Sequence, residues 1–198
     1  MEVDALDPGF QNPTKPVGSF CSREEAERIA KERGFVFVED SGRGYRRVVP
    51  SPIPKRIVEL EAVKRLCDAG AIVITVGGGG IPVVETSEGL KGVAAVIDKD
   101  RASALLAREL KADCLLILTA VDRVCLNFGR PDQRDLPSIT LEEAERYMEE
   151  NQFAPGSMLP KVQSCVEFVK HTGGTALITS LSRGLDALAG KTGTWITK

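Results

Sequence analysis

The sequence is poor in residues that mark several whole classes of function. It holds one histidine, His171, in 198 residues. That histidine has no partner at ligand spacing, which argues against a Cys/His zinc site, and a histidine triad would have to be built on it alone. It sits in Lys-His-Thr-Gly-Gly, a helix-end pattern in which such a residue needs no further role. The five cysteines, Cys21, Cys67, Cys114, Cys125 and Cys165, are odd in number and form no C-x-x-C. They read as reduced core thiols of a cytoplasmic protein rather than as a disulfide framework. An excess of either charge is missing too: the formal net charge is −2, which gives nucleic acid or an anionic membrane no bulk attraction. No apolar run approaches the ~18 residues of a membrane span. The opening, MEVDALDPGF, is acidic and lacks the apolar centre of a secretory signal.

What is present is an ordinary globular composition, 42% hydrophobic and 27% charged. Residues 1–50 read as a small α+β unit. NPTKPVG is turn-rich, Ser22 and Glu25 open a short helix with a capping-box pattern, and FVFVE and YRRVVP flank SGRG as a hairpin. The prolines of PSPIP mark a hinge. Residues 51–198 then alternate helices with buried strands: AIVITV (71–76), CLLIL (114–118), TALIT (175–179) and TWIT near the end. A helix carries Ala102, Leu105, Leu106 and Leu110, a second opens on a Thr140/Glu143 capping box, and a third carries the stripe Val162, Cys165, Val166 and Val169. This predicts an α/β fold, a three-layer α/β/α sandwich on a mainly parallel sheet, with the small subdomain appended.

Two familiar cofactor patterns fail. Gly77 to Gly80 follow a strand-like run, but the third glycine of G-x-G-x-x-G would be Pro82 or Val83, and IPVV is extended rather than helical. AGKT, Ala189 to Thr192, looks like the end of a P-loop, yet five residues separate Gly184 from Gly190 and no helix can follow before Lys198.

Other positions suit phosphate. Four glycines at a strand end free backbone N–H groups to approach an anion. Lys99, beside Asp100, lies where AAVID gives way to a helix, whose first N–H groups are unsatisfied. Lys161 falls in the first turn of the helix after APGSMLPK, a place the dipole makes unfavourable for a cation unless an anion is near. Asp98 reads as structural.

In this order, NPTKPVG, GRGYRRVVPSP, VGGGGIPVV, AVIDKDRASALLA, LTAVDRVCLNFG, FAPGSMLPKV and TALITSL resemble the carbamate kinases, members of the amino-acid kinase fold, over essentially the whole chain. The resemblance implies reversible phosphoryl transfer between ATP and carbamate, giving ADP and carbamoyl phosphate, in arginine catabolism through the deiminase pathway. It implies that Lys99 and Lys161 hold nucleotide phosphates and the transferring group, with Asp100 orienting them. Lys15 is implied to reach carbamoyl phosphate from the protruding subdomain, and Gly77, Gly78, Gly79 and Gly80 to line the transfer site. Thr119, Val121, Asp122, Phe153, Ala154 and Met158 would surround the adenosine. Mg²⁺ would ride on the nucleotide phosphates, and the full-length family implies a homodimer. Arg46 and Arg47 could equally pair with the acidic helix of the subdomain.

The sequence departs from the family at Ala120, where an acidic residue is common, and at Cys125, where an aromatic is expected; both would adjust the nucleotide pocket. The family's N-terminal lobe, with its own glycine-rich loops for carbamate, has no counterpart here. The expectation is a chain inactive on its own, with an edge strand and an apolar surface exposed. The alternatives are a non-catalytic ATP/ADP-binding fragment or another acyl-phosphate-forming amino-acid kinase; the subdomain motifs argue against the last.

Overall fold

A computed structural model describes residues 1–40 and 42–198. The chain forms two units, one of residues 1–58 and 78–98, the other of residues 59–77 and 99–198. Residues 78–98 thus join the N-terminal segment, in addition to the stretch expected from the prolines.

The first unit carries β1 (Glu2–Val3), β2 (Lys15–Cys21), α1 (Arg23–Arg33), β3 (Val36–Glu39), β4 (Tyr45–Val49), β5 (Pro54–Arg56), β6 (Val83–Thr86) and β7 (Gly89–Gly92). Strands β2, β4 and β3 make one antiparallel sheet. The hairpin expected from FVFVE and YRRVVP is its β3–β4 pair; Ser41 of the SGRG stretch lies outside the described residues. Ser22 caps α1 by accepting from the Glu25 N–H, and Gly34 ends it in the left-handed conformation. Arg46 binds Asp40 and the Gly18 carbonyl, and Arg47 stacks on Phe35 at 3.5 Å, so the conspicuous arginines brace this sheet. A second sheet runs β5-β1-β6-β7. The Met1 ammonium donates to the Ile81 carbonyl at 2.9 Å, which ties that sheet to the glycine loop.

The second unit carries α2 (Leu60–Asp68), α3 (Lys99–Glu109), β8 (Cys114–Thr119), β9 (Val124–Leu126), β10 (Arg134–Leu136), β11 (Ser138–Thr140), α4 (Leu141–Glu149), α5 (Met158–Thr172), β12 (Thr175–Ser180), α6 (Gly184–Leu188) and β13 (Thr194–Thr197). Its main sheet is ordered β11-β13-β12-β8. The β8–β12 and β11–β13 pairs are parallel, and TWIT, as β13, runs antiparallel to β12.

The core follows from alternation along β12. Ala176 and Ile178 enter the cluster made with Val162, Cys165, Val166, Phe168 and Val169 of α5. Leu177, equally buried, turns to the other face, where Gly193 sits between it and Ala187 of α6. Helices therefore cover both faces of this strand, as a run without polar alternation requires. The Thr140/Glu143 capping box of α4 is formed in both directions.

One expected strand does not form. Ala71 to Val76 belong to no strand, and Ile72 and Ile74 are 99% and 98% exposed. The residue types suit a sheet, but the ladder of the second unit ends at β8 and no described strand pairs with this run. The helix before it, α2, starts after Ile57 and leaves Leu66 and Cys67 exposed. The cysteines are all free, and only Cys125 and Cys165 are buried.

Candidate functional site

In the second unit the site grows from two helix starts. Asp100 stands in the first turn of α3, where a carboxylate is favoured by the helix dipole. The start of α5 has neither an acidic residue nor a side-chain cap. Lys161 lies there buried, and its Nζ meets Asp100 Oδ2 at 2.8 Å across the packed α3 and α5. On the other oxygen, Lys99 Nζ stands 3.7 Å from Asp100 Oδ1, with more than half of its side chain exposed. One carboxylate thus holds two ammonium groups, one fixed in the interior and one reaching out.

This arrangement has a chemical consequence. A lysine buried at a helix N-terminus is costly unless paired, and Asp100 is the anion that the position calls for. Two ammonium groups gathered at helix starts, where the first N–H groups lack intrahelical partners, are a combination that suits phosphate. Cys165, one turn beyond Lys161, takes no part as a nucleophile: burial pushes its thiol far above the usual range, and the Asp100 charge adds to this.

The residues expected around adenosine divide by exposure. Thr119 ends β8 beside Ser180 of β12. Val121 is half-buried and Asp122 exposed. The Asp122 carboxylate accepts from Ser180 Oγ at 2.5 Å and from Arg183, so it fastens its loop to the end of β12. The Ser180 hydrogen bond, helped by Arg183, lowers its pKa below the ordinary carboxylate value. Phe153 is buried in the core, with Met158 packed against the same cluster, while Ala154 is exposed. The Phe153 side chain is thus spent on the core. Cys125 is likewise interior, in β9 opposite Asp135, where burial raises its thiol pKa; Ala120 is exposed.

The four glycines fall on both sides of the division between units. Gly77, in the second, donates to the Thr75 carbonyl at 2.7 Å, closing a tight turn on Val76, a β-branched residue held at φ +52°. In the first unit, Gly79 packs so closely on the Ile97 carbonyl that a Cβ would overlap it, and its φ of +123° excludes other residues as well. The neighbouring Gly78 has open space around its Cβ position. Gly79 is thus a glycine for close packing, while Gly77 and Gly78 both have open space where a Cβ would stand.

Lys15, at the start of β2, forms an ion pair with Asp98 Oδ2 within the first unit. From sequence alone Asp98 reads as structural. The two residues are 83 positions apart, and no spacing rule links them.

Residues 12–180 match the model of the amino acid kinase family. A carbamate kinase of Clostridium perfringens is 59% identical over 99% of this chain, and carbamate kinase 3 of Staphylococcus aureus is 53% identical over the same share. The chain spans 63% and 64% of those two relatives' lengths. Among solved structures, a Giardia lamblia carbamate kinase bound to citric acid superposes with a TM-score of 0.92 at 46% identity, covering all of this chain and 62% of that one. The same enzyme bound to AMP-PNP superposes at 0.84 with 48% identity, over all of this chain and 63% of that one. Fold, motifs and matched length together establish that the chain belongs to the amino acid kinase family.

Proposed function

We propose that the chain carries the nucleotide-handling part of a carbamate kinase, which transfers a phosphoryl group reversibly between ATP and carbamate. The observation that carries this reading is Asp100 between Lys99 and Lys161, with Lys161 buried at a helix start. Carbamate is already an anion, so the reaction needs no base to deprotonate an acceptor. The demand is to bring anions together and to offset charge on the moving group. Lys161 supplies a fixed cation for this. Lys99 supplies one that can follow the phosphoryl group, and Asp100 holds both in register. In the direction of ATP synthesis an oxygen of the ADP β-phosphate takes the phosphoryl group and carbamate leaves. Lys15 serves the carbamoyl phosphate end. Mg²⁺ enters on the nucleotide phosphates; Asp98 and Asp100 each already hold a lysine, so neither is assigned to it. The pathway we assign is arginine catabolism through the deiminase route, in the cytoplasm.

Support comes from the AMP-PNP complex of the Giardia lamblia relative, a bound nucleotide analogue on a chain that this one matches over its whole length. The relatives carry polypeptide beyond the matched length, and we assign turnover to the whole. The test has two arms. ADP and ATP should raise the melting temperature of the 198-residue chain, increasingly with concentration. A coupled ATP-synthesis assay with carbamoyl phosphate and ADP should show no turnover from it alone. Lys99→Ala should weaken nucleotide binding with little change in stability, because its side chain is largely exposed. No nucleotide-dependent shift would sink the reading; turnover by the chain alone, lost in Lys99→Ala, would overturn the assignment of activity to a longer polypeptide.

A further inference from the structure

We propose that Asp98 is a latch for Lys15: it holds the lysine while no anion is bound and yields it to an incoming phosphate-bearing anion. Asp98 is then a positioning residue that sets the affinity for that anion. The proposal rests on the reading that Lys15 reaches the phosphate of carbamoyl phosphate.

The two partners differ in freedom. The Asp98 side chain is 9% exposed, and it follows Ile97, itself 1% exposed. The Ile97 carbonyl is pressed against Gly79, so the backbone that carries Asp98 is held in place. Lys15 is 26% exposed on a flexible four-carbon stem, so it is the partner able to move. Gly78, next to Gly79 in this unit, has open space where a Cβ would stand. The first unit thus brings together a fixed carboxylate, a mobile ammonium and a glycine loop with room beside it.

A carboxylate is an unfavourable neighbour for a phosphate site. It competes for the lysine and repels the ligand. Its presence makes sense if it keeps Lys15 from pairing elsewhere and releases it only to a stronger anion. Apparent affinity is then the intrinsic affinity reduced by the fraction of time Lys15 spends on Asp98.

The test is titration of the 198-residue chain with inorganic phosphate, followed by calorimetry and by the NMR signal of ¹³C-methylated Lys15. Phosphate should move the Lys15 signal in the native chain. Asp98→Asn should tighten phosphate binding roughly three- to ten-fold, and Asp98→Glu should restore the native value. Lys15→Met should weaken binding, and in that background Asp98→Asn should lose most of its gain. Each failure has its own meaning. If Lys15→Met leaves affinity unchanged, the reading of Lys15 as a phosphate contact falls. If Lys15→Met weakens binding while Asp98→Asn weakens it or leaves it alone, the latch falls and that reading stands. A gain that persists undiminished in Lys15→Met would show plain repulsion and also overturn the latch. Should Asp98→Asn fail to fold, the Lys15 signal of the native chain decides: no movement at saturating phosphate overturns the proposal.

Discussion

Two runs of the second unit, AIVITV at residues 71–76 and TALITS at Thr175–Ser180, are built from the same kinds of residue, and only the later one becomes a strand. Both are short, apolar and β-branched, and neither alternates with polar residues. The later run has β8 on one side, β13 on the other, α5 on one face and α6 on the opposite face. The earlier run has no described strand beside it and leaves Ile72 and Ile74 in solvent. Sheet propensity is largely the energy of packing on a pleated, covered surface. A strand is therefore a property of its neighbours as much as of its own residues.

Hydrogen exchange should show this contrast at its largest. Amides of residues 176–178 lie in a buried strand paired on both sides and should exchange only through global opening. Amides of residues 72 and 74 should exchange with almost no protection, a difference of several orders of magnitude. Protection of residues 72 and 74 comparable to that of β12 would show that the run has found a partner strand, and the comparison would collapse.

The same contrast explains what could be read from sequence. Local signals were reliable where the local partner is also the structural one. The Thr140/Glu143 capping box, the α5 stripe and the β3–β4 pair all depend on residues within a few positions of each other. The signal failed at residues 71–76 because it describes residue type and is silent about neighbours. The candidate site shows the same division. Lys161 at a helix start is visible as an electrostatic anomaly and Asp100 as the neighbour of Lys99, but the two are 61 residues apart and only the family motifs link them. Asp98 had no local anomaly, so its pairing with Lys15 could not be read. The interior position of Phe153 was equally hidden, since an aromatic beside a loop looks the same whether it faces a ligand or the core.

Stability should follow burial in the same way. Leu177→Ala removes a fully buried side chain between β12 and α6 and should cost about 3 kcal/mol in urea denaturation. Ile74→Ala removes a side chain that is 98% exposed and should stay within about 0.5 kcal/mol. Equal costs would mean that Ile74 is packed in solution.

Thiols give a smaller, pH-dependent version. Burial raises the pKa of Cys114, Cys125 and Cys165 in the folded chain. Above the ordinary thiol pKa of ~8.5 the unfolded chain loses protons that the folded chain keeps. Stability should therefore be unaffected at neutral pH and fall as pH rises beyond that point, by up to about 1.4 kcal/mol per pH unit for each such thiol. Cys67, exposed near the end of α2, should react with a thiol reagent in the native state, while Cys165 should react only after unfolding. Native-state labelling of Cys165 at the rate of Cys67 would contradict the closed packing of α5.

The smallest effect concerns the loop that follows β8, where the sheet's edge strand meets the expected adenosine residues. Asp122 is fastened to the end of β12 by Ser180, and that hydrogen bond is the main cause of its lowered pKa. A depressed folded pKa means that the contribution is complete above the unfolded value of ~3.9 and disappears as pH falls through the folded value. The group is exposed, so solvent and salt should keep the stability effect small. Ser180→Ala should nevertheless return the Asp122 titration, followed by carboxyl NMR, toward the ordinary range. Because β12 is paired on both sides, the strand itself should not shift, and the change should be confined to the loop around Asp122. An Asp122 pKa that stays depressed in Ser180→Ala would assign the effect to Arg183 instead, and the loop would then be held by a surface ion pair rather than by the buried end of the sheet.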